Sequence, residues 1–255
     1  LGASSGFGEA TARALAAAGM DIFGVHLDRA AGQQRVDTLQ VDLKEAGSSG
    51  RFFNVNAADP EKRAVVIEGI AESLGQQPKP LRLLLHSLAF GALRPLISED
   101  HSGSVTESQV AMTQNVMASS LLFWTQDLLA AGLIGEGTRI IAMTSSGARR
   151  VLPHYGAVSA AKAALEAYVR QLAFEGGSMG LRVNAIEAGV TDTPALRKIP
   201  GDAEIKTETL RKNPFNRLTV PSDVATVVRS LCGEAGDWIN GTVMRVDGGE
   251  GIVEL

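Results

Sequence analysis

The residues best placed to do chemistry lie between Ser145 and Lys162, in the stretch SSGARRVLPHYGAVSAAK, where Tyr155 and Lys162 stand seven positions apart. At about 3.6 residues per turn, seven steps make nearly two turns of a helix, so the long lysine stem can carry its ammonium back towards the phenol. A nearby positive charge favours the phenolate. It is expected to lower the phenol pKa from about 10 towards the range of a working general acid. In isolation such a pair is ordinarily a half-buried aromatic and a solvated lysine. The elements around it give it another meaning.

Those elements alternate strand and helix, the pattern of an α/β fold with a doubly wound parallel sheet of Rossmann type. The chain opens LGASSGFGEATARALAAAG, with Gly2, Gly6 and Gly8 ahead of an alanine-rich helix that is expected to end at Gly19. Glycines at a strand-to-helix turn let the backbone approach a pyrophosphate, and the helix start offers free N–H groups and partial positive charge. Gly2, Ser4, Ser5, Gly6, Phe7 and Gly8 are therefore read as cofactor-binding. A dinucleotide fold needs an apolar strand before this turn, so about 5 to 12 further residues are expected upstream of Leu1.

The second strand, within MDIFGVHLDR, is expected to end near His26, beside the adenosine ribose. An acidic side chain at that end suits the ribose hydroxyls of NAD, whereas a basic one suits the 2′-phosphate of NADP. The usual acidic position falls on His26, Asp28 comes two residues later and Arg29 adjoins it, so NADPH is the expected cofactor and NADH the alternative. The third strand, RFFNVNA, brings Asn56 and Ala57 to the adenine. A turn with Gln76, Pro78 and Pro80 leads into LRLLLHSLAFGALRP, a strand buried on both faces and closed by His86 and Ser87.

One long helix is expected over 108–132, and TRIIAMTSS reads as the fifth strand, delivering Ser145 to the carboxyl edge of the sheet. The sixth strand, LRVNAIEAG, ends at Gly189. From 191 to 217 the pattern is lost in a polar, proline-interrupted stretch, read as an irregular lid over the site. A helix over 222–233 and a seventh strand, GTVMRVDGG, complete a single domain.

Composition narrows the function classes. With 255 residues, of which 45% are hydrophobic and 20% charged, the chain can bury one large core. A net charge of −4 argues against general nucleic-acid affinity. The single cysteine, Cys232, excludes an internal disulfide and fits a reducing compartment. No apolar run approaches the roughly 20 residues of a membrane span and the start lacks a signal-peptide layout, so a cytoplasmic address is expected. No residues are assigned to a metal.

Taken together, GASSGFG, the Tyr155/Lys162 pair after a serine-bearing strand, VNAIEAG and INGTVMRVDGG resemble the short-chain dehydrogenase/reductase family over essentially the whole chain. Most members have Tyr-x-x-x-Lys, but the fourth residue after Tyr155 is Ser159 and the lysine is the seventh. That spacing, with LLLHSLAFGALRP and YGAVSAAKAALEA, resembles the enoyl-acyl-carrier-protein reductase branch of fatty acid synthesis. The glycine motif resembles the ordinary short-chain form. Where enoyl reductases often carry a second aromatic, ten residues before the tyrosine, this chain has Ser145.

The resemblance implies hydride transfer from reduced nicotinamide to the β-carbon of a trans-2-enoyl thioester. Tyr155 would donate a hydrogen bond to the thioester oxygen, Lys162 would hold the nicotinamide ribose, and Ser145 would orient the carbonyl. The backbone near Val190 and Thr191, with Thr193 beyond, would hold the carboxamide. Carbonyl reduction by the same residues is the alternative, with Ser145 polarising the ketone; a cofactor-binding protein without turnover is a third reading. For a substrate on acyl carrier protein, Arg149, Arg150, Arg197, Lys198, Arg211 and Lys212 would form a basic docking edge. A homotetramer is also implied.

Overall fold

The strand Arg139–Thr144 (β4) is buried along its whole length and organises the molecule. Ile140 and Ala142 join one apolar cluster, and Ile141 and Met143 join another. That alternation is what a strand covered on both faces requires. The computed structural model describes residues 1–75, 80–100 and 102–254. The positions Gln76 and Pro78 of the expected turn lie outside them.

Leu83–His86 (β3), β4, Arg182–Ala188 (β5) and Val243–Val246 (β6) form a parallel sheet in that order. Phe23–His26 (β1) and Arg51–Asn54 (β2) form a second parallel pair. These six are the second to seventh strands of the sequence reading. Between the two sheets run residues 1–3: Gly2 N–H and Ala3 N–H donate to Val25 O at 2.8 and 3.1 Å, and Ser87 N–H donates to Leu1 O at 3.1 Å. They occupy the slot in which the first strand is expected.

On one face Gly6–Ala16 (α1) packs against Pro221–Leu231 (α8) and Ala30–Glu45 (α2). Val224, Val228 and Leu231 of α8 cover Ile141, Met143 and Ile186. On the other face Gly156–Gly176 (α6) packs against Glu107–Gln114 (α4), Ser120–Ala130 (α5) and β5, and Pro60–Leu74 (α3) lies against α5. Local chemistry sets the ends: the Asp59 carboxylate accepts from Glu61 N–H and Lys62 N–H ahead of α3, and Thr106 and Gln109 form a capping box at α4. No helix among the described residues is long and apolar enough to cross a membrane.

Two expectations need correction. The helix expected over 108–132 is two α segments joined by a π turn, Asn115–Ser119. Side-chain hydroxyls compete for its carbonyls there, since Thr113, Ser120 and Thr125 each donate to the residue four back, a pattern that bends helices. The segment 191–217 is not irregular, because it contains a helix, Asp202–Lys212 (α7). Only Thr209 of α7 is buried, and its ordering rests on pairs such as Lys206 with Asp202 rather than on an apolar stripe.

Candidate active site

The backbone after β4 turns so that Tyr155 becomes the residue capping α6. Ser145 opens that turn by accepting Gly147 N–H at 3.1 Å, and Ser159 of α6 donates to Gly147 O. A β-carbon on Gly147 would stand 2.6 Å from Tyr155 Cε1, so only glycine lets the ring lie there. His154, just before it, takes a left-handed φ of 61°. The phenol is thereby held at the end of β4 beside the Ser145 hydroxyl. Lys162, two turns into α6 and 5% exposed, donates from Nζ to Met143 O at 2.7 Å.

The electrostatics differ from the sequence expectation. Burial pushes the Tyr155 phenol above its ordinary pKa, the Ser145 hydroxyl opposes that shift, and Lys162 does not contribute to it. The lysine charge is directed to the backbone of β4 instead. Burial also pulls Lys162 down to about 8, against an opposing effect from Glu166 one turn further along α6. Glu166 is fixed by Thr144, whose hydroxyl donates to Oε1 at 2.7 Å.

A buried carboxylate that the sequence reading did not single out fastens the loop that leads to Tyr155. Glu187, 3% exposed on β5, accepts both hydrogen bonds from Arg149 Nη2 at 2.6 and 2.7 Å, and Arg245 Nε lies 3.5 Å away. Arg149→Met leaves that carboxylate with the distant partner only. It is expected to lower stability by about 2 kcal/mol in urea unfolding, and adding Glu187→Met should restore part of the loss. A double variant as weak as the sum of both single changes would contradict the coupling.

The glycine turn fits a dinucleotide. A β-carbon on Gly2 would overlap Ser87 O, and one on Gly8 would overlap Gly2 O. Gly6 has a left-handed φ of 56°, and its β-carbon would stand 3.3 Å from Thr193 Cγ2. Ser5 precedes α1 without a side-chain cap, which leaves N–H groups at the helix start for an anion. Phe7 packs its ring against the α8 side of the core, so it offers only its backbone.

The other predicted contacts fall into two groups. His26 is buried and pairs through Nδ1 with Asp28 at 2.9 Å, while Asn54 brackets the Asp28 backbone; the imidazole is thus engaged, contrary to an open ribose contact. Arg29 stays exposed at the same strand end. Asn56 stays exposed and accepts Ala58 N–H at 3.0 Å in a local turn, and Ala57 O accepts from Trp124 Nε1. His86 is fully buried with Nε2 2.8 Å from Ser120 on α5, so its side chain belongs to the core, and burial followed by Lys162 holds its pKa well below the usual value. Ser87 donates its N–H to Leu1 O, and its carbonyl lies close against Gly2. Val190, Thr191 and Thr193 run from the end of β5 across the start of α1, with Val190 N–H donating to Glu250 Oε1 at 2.8 Å.

The basic edge is largely consumed internally. Arg149 holds Glu187, Arg150 donates to Gly251 O, Arg197 makes a two-pronged pair with Asp192, and Lys212 pairs with Glu208. Lys198 and Arg211 remain exposed with no ion-pair partner among the described residues.

A family model described as Enoyl-(Acyl carrier protein) reductase matches residues 2–250. The NADH-dependent enoyl-[acyl-carrier-protein] reductase FabI of Aquifex aeolicus is 30% identical over 73% of this chain and 68% of its own length. Enoyl-[acyl-carrier-protein] reductase [NADH] 2 of Rhizobium meliloti is 30% identical over 96% of this chain and 86% of its own. An NADPH-dependent aldehyde reductase-like protein of Arabidopsis thaliana is 28% identical over 97% and 91%. Among solved structures, a short-chain dehydrogenase of Burkholderia cenocepacia in complex with NADP superposes with a TM-score of 0.81 at 28% identity, over 98% of this chain and 95% of that one.

Proposed function

The chain belongs to the enoyl-(acyl carrier protein) reductase family, and from that premise we propose that it reduces the carbon–carbon double bond of trans-2-enoyl thioesters in fatty acid synthesis. The observation that carries the reading is the convergence of Tyr155, Ser145 and Lys162 at the end of β4, next to a turn whose glycines leave no room for β-carbons. The glycine turn would hold the pyrophosphate of a bound nicotinamide cofactor, which would supply the hydride. Tyr155 donates a hydrogen bond to the thioester oxygen as negative charge collects there. The interaction strengthens towards the transition state, so it lowers the barrier instead of only tightening binding. A phenol raised by burial remains protonated at neutral pH, which suits a donor. Lys162 has three N–H donors and gives one to Met143 O, which leaves two for ribose hydroxyls. The backbone near Val190 and Thr191 would hold the carboxamide through the Thr191 N–H, since the Val190 N–H is taken by Glu250, and Ser145 would orient the substrate carbonyl.

NADPH is the proposed cofactor, supported by exposed Arg29 beyond β1; the similar FabI proteins use NADH by name, so both belong in the assay. Loss of reduced-nicotinamide absorbance with crotonyl-coenzyme A, beside a 3-ketoacyl thioester and a panel of ketones, tests the reaction. Turnover of ketones alone would move the chain to carbonyl reduction. That second reading draws support from the Ser145 hydroxyl against the phenol and from the similarity to the aldehyde reductase-like protein.

The enzyme is proposed to act in the cytoplasm as a homotetramer, in which contacts would cover exposed apolar side chains such as Phe174. Docking of acyl carrier protein, an acidic partner, would fall to Lys198 and Arg211. Reversing both to Glu is expected to raise KM for carrier-bound substrate about 3–10-fold and leave the coenzyme A thioester nearly unchanged. Equal effects on the two substrates would remove the docking role.

A further inference from the structure

Three parts of the chain that are distant in sequence meet at Val190. Its N–H donates to Glu250 Oε1 at 2.8 Å, its carbonyl accepts Thr219 N–H at 3.1 Å, and the preceding Gly189 N–H donates to Val246 O at 2.9 Å. There is no slack at this junction: a β-carbon on Gly189 would stand 2.9 Å from Asp247 Cα and 3.0 Å from Glu250 Oε2. Beyond Val190 the chain is tied less firmly, and Thr191 N–H has no acceptor among the described residues. Two residues later Thr193 lies against Gly6 at the start of α1.

Glu250 is itself held. Asp247 accepts Gly249 N–H at 2.9 Å and Gly251 N–H at 3.0 Å, which folds the tail after β6 into a tight turn, and Arg150 of the loop that leads to Tyr155 donates to Gly251 O at 2.8 Å. Glu250 Oε2 is buried without a partner among the described residues. Such an oxygen is costly, and its retention calls for a role.

We propose that Glu250 is a positioning residue for the nicotinamide end of the cofactor: its carboxylate clamps the Val190 peptide so that Thr191 presents a free N–H beside the glycine turn. The inference rests on the reading that Val190 and Thr191 hold the carboxamide. It also makes the tail after β6 part of the site, joined through Arg150 to the loop that carries Tyr155. Loss of the clamp should weaken only those ligands that possess a nicotinamide. The adenosine end, bound near β1 and β2, should not respond.

The test is equilibrium binding, read by protein fluorescence, of NADPH, NADH and ADP-ribose to the whole chain and to Glu250→Ala and Glu250→Gln. Glu250→Ala is expected to weaken both reduced cofactors about tenfold and leave ADP-ribose within about twofold, because one hydrogen bond is lost and the Val190 N–H is left without its acceptor. Glu250→Gln keeps a carbonyl oxygen for Val190 N–H and should restore most of the affinity. A gap between intact cofactor and ADP-ribose that Glu250→Ala leaves unchanged would overturn the proposal alone. An equal loss for ADP-ribose, or a Gln variant as weak as Ala, would also overturn it by pointing to general damage. If the unaltered protein showed no gap at all, the carboxamide reading and the proposal would fall together.

Discussion

Tyr155→Phe is expected to lower kcat for crotonyl-coenzyme A by about 10²–10⁴-fold, with KM changed little. The substitution removes one oxygen and leaves the ring, which is 8% exposed and fits against Gly147. Burial disfavours the phenolate, so in the proposed reaction the hydroxyl is a neutral donor whose hydrogen bond would grow with the charge on the substrate oxygen. The neighbouring hydroxyl supplies the control. Ser145→Ala, which also removes the acceptor of Gly147 N–H, should cost less than about tenfold with an enoyl substrate and far more with a ketone that depends on Ser145 for polarisation. Activity of Tyr155→Phe within tenfold of the parent, measured on protein with an unchanged melting temperature, would exclude the phenol as the catalytic donor.

The strands were legible because their apolar runs are closed by polar residues: LLLH ends at His86, and RIIAMT hands over to Ser145. The glycine turn was legible for a related reason, since Gly2 and Gly8 occupy places where a β-carbon would overlap backbone. What sequence reasoning missed depends on partners far along the chain. Glu187 meets Arg149 across 38 positions and Glu250 meets Val190 across 60, and neither spacing follows from a local period. Helix α7 was hidden because charge pairs order it and almost none of it is buried. The π turn escaped because hydrogen bonding, rather than apolar pattern, sets it apart from an α-helix. The Tyr155/Lys162 spacing put Lys162 on α6 with Tyr155 at its cap rather than within it, and it did not foresee the lysine charge, which Met143 O draws towards the sheet.

That displacement leads to the second large effect, on stability and activity in opposite directions. Lys162 lies 5% exposed with a pKa pulled to about 8 by burial, so at pH 7 it carries a charge in the interior. Glu166 opposes the shift, and His86, the other titratable group facing it, is held neutral by burial. Because the folded pKa lies below the unfolded value, the unfolded chain binds more protons between about 8 and 10.5. The penalty is complete below about 8 and is relieved as pH rises through that window. At 1.36 kcal/mol per unit it is on the order of 3 kcal/mol, offset by about 1 kcal/mol for the hydrogen bond to Met143 O. Met at this position fills a similar volume without charge. Lys162→Met is therefore expected to be about 1–3 kcal/mol more stable than the parent at pH 7 in urea unfolding, with the difference shrinking towards pH 10.5. Turnover should fall by about 10²–10³-fold, because no ammonium remains for the ribose hydroxyls. A variant less stable than the parent at pH 7, or a difference constant across pH, would show that the buried charge is fully compensated where it stands. A gain in stability paired with a loss of turnover would place Lys162 among residues retained for chemistry against the preference of the core.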